Sequence, residues 1–175
     1  MENLGQGAPD EFIALAEEKL LIDDVGNHIL LLACDFLKRL QDEGFHETSV
    51  AVNISGIQLL REDFVENLQQ KLFSSEKVKK PLEFEVTETV LLDHFSQINE
   101  TLEAIKKMDI AISLDDFGTG YSSFSRLAEL HIDTIKIDRF FIDKISHTAE
   151  KDLIISDVIS MAHKIGLNVV AEGVE

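Results

Sequence analysis

The sequence predicts an α/β chain of the (β/α) TIM-type barrel class, incomplete, with about five parallel strand-plus-helix units. Three observations predict it. Five short strand-like runs each lead to a residue able to bind a metal ion or move a proton. These are Asn53 after Val50-Ala51-Val52, Glu85 after Leu82-Glu83-Phe84, Asp115 and Asp116 after 110–114, Lys136 after 132–135, and Glu172 after Val169-Val170-Ala171. From Asn53 to Glu172 the spacing averages about 30 residues, the size of one strand-plus-helix unit. Helical and strand patterns alternate between these points, which calls for a parallel sheet covered by helices. In such barrels the chemistry collects where strands end, because only there do loops from neighbouring strands converge on one pocket.

In chain order, residues 1–9 are expected to form a disordered leader, within a single partial domain spanning 1–175. Residues 10–19 and 23–41 read as helices; the second repeats apolar positions at Val25, Ile29, Leu32, Phe36 and Leu40 and is closed by Gly44. A strand at 49–54 follows, then a helix near 58–72, a strand at 82–86, a helix near 96–107 and a strand at 110–114. A glycine-rich loop leads to a short helix near 122–130, a strand at 132–137, a helix near 151–164 and a strand at 167–171. Lys77 to Lys80 with Pro81 read as a solvated turn. Five strands fall short of the eight of a closed barrel, and both ends of the chain are expected to be cut, leaving open sheet edges.

Composition narrows the function. With 175 residues, 45% of them hydrophobic and 11 of them Phe, the chain suffices for one globular core. Acidic residues outnumber basic ones 33 to 16, a formal charge of −17, which excludes gripping long nucleic acid through basic patches. An anionic ligand would need bound divalent cations to reverse the sign of the pocket. Cys34 is the single cysteine and sits in an apolar helical stretch, so it reads as a buried thiol. Residues 1–9 lack the basic and apolar regions of a signal peptide, and no run approaches the ~18 apolar residues of a membrane span. The expected location is the cytoplasm.

The strand-end residues suggest chemistry in different degrees. Asn53 offers a hard oxygen for Mg²⁺, Mn²⁺ or Ca²⁺, yet alone it reads equally as a turn residue before a helix capped by Ser55. A period of two puts Glu83 and Glu85 on one strand face and Phe84 and Val86 on the other, which favours Glu85 as a metal ligand on the inner face. Glu88 lies past the strand, placed to steady a neighbouring loop. Asp115 and Asp116 are adjacent carboxylates at a strand end, followed by Phe117-Gly118-Thr119-Gly120-Tyr121-Ser122-Ser123. Two metal ions ~3.5–4 Å apart can share such carboxylates, and the glycines allow close backbone approach to a phosphate. Lys136, between two isoleucines, reads as a cation held among carboxylates. Glu172, followed by Gly173, repeats the strand-end pattern. The six histidines show no metal-binding spacing.

These residues resemble the EAL-domain family of bacterial cyclic di-GMP phosphodiesterases. The resemblance is carried by Pro9-Asp10-Glu11-Phe12-Ile13 with Ala16-Glu17, Val52-Asn53-Ile54-Ser55, Glu85-Val86-Thr87-Glu88, Leu114 to Ser123, Ile135-Lys136-Ile137-Asp138-Arg139 and 169–175, in the family's order. It implies a barrel in which Asn53, Glu85, Asp115 and Asp116 hold two Mg²⁺ or Mn²⁺ ions, with Ca²⁺ inhibitory. It implies that Lys136 and Glu172 position and activate water, and that Glu88 braces the loop from Asp116 to Ser123, which meets substrate and a dimer interface. The implied reaction is hydrolysis of cyclic di-GMP to the linear dinucleotide, in a homodimer with a sensory or GGDEF-type partner domain. The family's Glu-Ala-Leu tripeptide is absent, since Glu103-Ala104-Ile105 falls within a helical pattern. An inactive module that binds cyclic di-GMP or a protein partner is therefore the alternative. Without the resemblance, a lyase or isomerase using Lys136 as its base would also fit.

Overall fold

The computed structural model describes residues 9–74, 82–91, 94–118, 124–142 and 149–174. Its elements are, in order, α1 (Pro9–Glu18), α2 (Ile22–Asp42), β1 (Val50–Asn53), α3 (Gly56–Leu59), α4 (Phe64–Ser74) and β2 (Leu82–Thr87). A 3₁₀ turn (Glu88–Leu91) leads to α5 (Phe95–Lys106), β3 (Ala111–Phe117), α6 (Phe124–Leu127), β4 (Thr134–Ile137), α7 (Arg139–Ile142), α8 (Ala149–Lys164) and β5 (Asn168–Ala171). The five strands form one sheet in sequential order, each neighbouring pair parallel. A doubly wound sheet would reverse its order at a switch point. The uninterrupted order is that of an arc of a (β/α) barrel, as the spacing predicts.

The core lies between one face of this arc and the helices. Alternation along β2 buries Leu82, Phe84 and Val86 and turns Glu83, Glu85 and Thr87 to the opposite face. Phe84 pairs in register with Ile112, and Leu114 with Ile135, so a continuous apolar layer crosses the sheet. Leu30, Leu37, Leu68, Ile98, Leu102 and Ile105 from the helices close over it. One polar clamp ties the layers together: Asp133, just before β4, accepts the Ile112 N–H at 2.8 Å and pairs with Lys106 of α5.

The structure redraws several expected elements. In α2 the face that buries is Ile22, Gly26, Leu30, Ala33, Cys34 and Leu37. Ile29, Leu32 and Phe36, members of the predicted stripe, are instead 43%, 54% and 46% exposed. Burial, and then the neighbouring Asp35, push the Cys34 thiol up, so it stays protonated as expected of an inert core cysteine. The predicted helix at 58–72 is two helices, α3 and α4, and in the break between them Arg61 pairs with Asp63 and with Asp23 of α2. Ser55 caps α3 through a capping box with Gln58, as the reading of Asn53 as a pre-helical turn anticipates. The strand expected to stop at Leu114 continues to Phe117, so Asp115 and Asp116 lie inside β3. The short helix expected near 122–130 covers Phe124–Leu127, and the four residues of α7 are an element that periodicity does not reveal. The leader residues 1–8, the basic turn at 77–81 and loop residues 119–123 lie outside the described residues, whereas Pro9 already opens α1.

Candidate active site

Local backbone geometry explains how adjacent acids come to one place. Leu114 pairs with Ile135 and Phe117 with Ile137, so two residues of β3, Asp115 and Asp116, stand opposite one residue of β4, Lys136. This is a β-bulge, and its extra residue, Asp116, takes a positive φ of 55°. An ordinary strand would turn these two carboxylates to opposite faces. The bulge lets both remain near the rim.

Lys136 is the hub. Its Nζ lies 2.7 Å from Glu172 Oε1, 2.9 Å from Glu85 Oε1 and 3.1 Å from Asp115 Oδ1, so one ammonium joins acids carried by β2, by β3 and by the end of β5. The lysine side chain is only 15% exposed. Burial opposes its charge, but the hydrogen bonds to Glu172, Glu85 and Asp115 outweigh it and hold its pKa above the ordinary lysine range. Held among these acids, it carries its positive charge at neutral pH.

Asp115, Asp116 and Glu172 each present a carboxylate oxygen, and these oxygens lie within 4.8 Å of one another. The Asp116 carboxyl is pushed up by burial and then by the charges of Asp115, Asp138 and Glu172, against the opposing pull of Lys136. Crowded hard oxygens of one sign match the donor set of Mg²⁺, Mn²⁺ or Ca²⁺. Asn53, at the end of β1, is the register partner of Glu85, on the same stretch of rim.

Glu88 opens the 3₁₀ turn and is 2% exposed. Its Oε2 accepts the Gly118 N–H at 2.8 Å, which ties the turn after β2 to the residue that leaves β3. Gly118 has φ +102°, a conformation that a side chain would strain. Sequence reasoning passed over Asp138 as a contributor, although the period of two from Lys136 places it on the same side of its segment. It also gave no partner to Glu83, which bonds Ser113 Oγ on the face shared with Glu85.

The EAL domain family model matches residues 2–175. The chain belongs to the EAL domain family. It is 39% identical over 167 residues to the signalling protein YkoW of Bacillus subtilis, covering 95% of this chain and 21% of that protein. Identity is also 39% to the cyclic di-GMP phosphodiesterase NbdA of Pseudomonas aeruginosa, again over 95% of this chain and 21% of the relative. Among solved structures, the PaMucR phosphodiesterase in complex with c-di-GMP matches with a TM-score of 0.90 at 33% identity, covering all of this chain and 71% of that one. This EAL chain thus spans about a fifth of the length of the curated relatives named here. No helix among its described residues is long and apolar enough to cross a membrane.

Proposed function

We propose that this chain acts as an EAL domain that hydrolyses cyclic di-GMP to the linear dinucleotide with the help of divalent metal ions. The observation that carries the reading is the rim cluster, in which three carboxylate oxygens crowd within 4.8 Å beside a lysine clasped by acids from three strands. Relatives named as cyclic di-GMP phosphodiesterases, NbdA and the PdeR of Escherichia coli, supply the substrate class.

In this reading Asn53, Glu85, Asp115 and Asp116 hold two Mg²⁺ or Mn²⁺ ions, and Glu172 stands close enough to share in that set. Bound cations would supply Lewis acidity, neutralise the phosphate and ease deprotonation of water. Lys136 presents its ammonium beside the same oxygens and, with Glu172, orients the attacking water. The water oxygen bonds to phosphorus and gives its proton to the Glu172 carboxylate as one P–O bond to ribose breaks, and the freed 3′ oxygen takes up a proton from solvent. Glu88 holds Gly118 and with it the start of the loop from Phe117 through Thr119, Gly120, Tyr121 and Ser122 to Ser123, which approaches substrate and the dimer interface. Ca²⁺ occupies the site without turnover. The chain works in the cytoplasm as a homodimer, joined to a sensory or GGDEF-type domain.

Incubating the chain with cyclic di-GMP and Mn²⁺ or Mg²⁺, and following the linear dinucleotide by chromatography, tests the reading. Product that disappears in Asp115→Ala supports it. Binding in Ca²⁺ with no product under Mn²⁺ would replace it with the inactive binding module, and neither binding nor product would remove the substrate assignment.

A further inference from the structure

Two carboxylates of the cluster, Asp116 and Glu172, are each followed closely by a glycine, Gly118 and Gly173 respectively. Both glycines have positive φ, +102° and +67°. Both also lie against the same short element. A Cβ on Gly118 would sit 2.5 Å from Cε2 of Phe141, and a Cβ on Gly173 would sit 2.5 Å from Cγ of Arg139. Distances this short are not met between real side chains, so α7 approaches both strand ends as closely as a missing side chain permits.

The approach is directed. Asp138 accepts the Phe140 N–H through Oδ1 at 2.8 Å, and its carbonyl accepts the Phe141 N–H at 2.9 Å, which sets α7 at a fixed angle directly after β4. Since β3 and β5 are the two neighbours of β4, an element rising from β4 can reach the ends of both. Gly118 is then gripped from two sides, by the Glu88 carboxylate on its N–H and by the Phe141 ring on its Cα. Glu172 is fixed through its own N–H on the Ile137 carbonyl at 3.1 Å, with the Arg139 stem packed on the next residue.

We propose that Arg139 and Phe141 are positioning residues: packed on Gly173 and Gly118, they hold Glu172 and Asp116 at one centre across β4. For Arg139 the working part is the aliphatic stem, because Cβ, Cγ and Cδ are the atoms against the glycine. The consequence for metal uptake rests on the proposed function. The consequence for the two glycines does not.

The test uses Phe141→Ala, Arg139→Ala and Arg139→Met, with Mn²⁺ titrated calorimetrically and urea unfolding recorded for each. Each alanine variant should lose about 10- to 100-fold in Mn²⁺ affinity, the usual effect of removing a group that orients ligands, while its urea midpoint stays close to wild type. Arg139→Met keeps the stem without the charge and should restore the affinity. Unchanged affinity in both alanine variants, or a loss that Arg139→Met fails to rescue, overturns the proposal. Should the wild-type chain take up no Mn²⁺, the metal part of the proposed function fails, and amide hydrogen exchange in metal-free protein decides this one. Faster exchange of the Gly118 N–H in Phe141→Ala upholds it, and unchanged exchange overturns it.

Discussion

At the scale of single residues, Lys136 balances acids that would otherwise repel one another. Replacing it with Met keeps the bulk but leaves Glu85, Asp115 and Glu172 facing each other uncompensated. We expect Lys136→Met to cost about 2–3 kcal/mol, under the ~3–5 kcal/mol of a fully buried pair because the rim is partly open to water. The folded-state pKa of this lysine lies above its unfolded value, so its contribution is complete below about pH 10 and drains away only as pH rises through the folded value. Urea midpoints should therefore keep a constant gap between wild type and variant from pH 7 to about pH 10, closing in stronger alkali. Asp116 has the opposite sign. Its raised pKa means that the charged form costs stability at neutral pH and that the cost is relieved as pH falls through the folded value. Metal-free Asp116→Asn, which tolerates the positive φ, should melt above wild type at pH 7 and lose that advantage towards about pH 4. An equal or lower melting temperature at pH 7 would contradict the account. The residues themselves were legible because polar side chains at the ends of apolar runs need a reason. The bulge was not, since one inserted residue obeys no period, and reading 110–114 as the whole strand left Asp115 and Asp116 just past its end instead of inside it.

At the scale of elements, the strands were easier to read than the helix faces. A period of two in β2 separates Phe84 from Glu85 without ambiguity. In α2 the run Ile29-Leu30-Leu31-Leu32-Ala33 puts apolar groups on nearly every side, so a stripe chosen by spacing alone has several equivalent solutions. Packing selects Leu30 and Leu37, which are 3% and 0% exposed, and leaves Phe36 at 46%. Leu37→Ala should then cost about 2–5 kcal/mol, the range for an emptied core position, while Phe36→Ala should stay within about 0.5 kcal/mol. Chemical denaturation of the two variants side by side checks the assignment, and equal losses would refute it. α7 escaped notice for another reason: four residues are too few to display a helical period, and the two glycines it packs on are recognisable as its partners only once β3, β4 and β5 are neighbours.

At the scale of the whole molecule, charge and site act in the same direction. A net charge of −17 makes the compact state repel itself, and the rim concentrates part of that charge within a few ångströms. Monovalent salt should raise the melting temperature by screening, an effect that levels off as the Debye length falls to about 8 Å near 0.15 M. Mg²⁺ or Mn²⁺ should do more than screen. A cation that binds the folded rim, and has no equivalent site in the unfolded chain, adds stability that grows with the logarithm of its concentration, about 2.7 kcal/mol at one hundred times its dissociation constant. The two effects separate when melting is followed in NaCl and in MgCl₂ at matched ionic strength. We expect extra stabilisation in MgCl₂ for the wild-type chain and for Phe36→Ala, whose substitution is remote from the rim. In Asp115→Ala the two salts should give superimposable curves, because one of the three crowded carboxylates, which also bonds Lys136, is gone. Superimposable curves in the wild type would mean that the crowded acids are held by Lys136 alone and gather no metal.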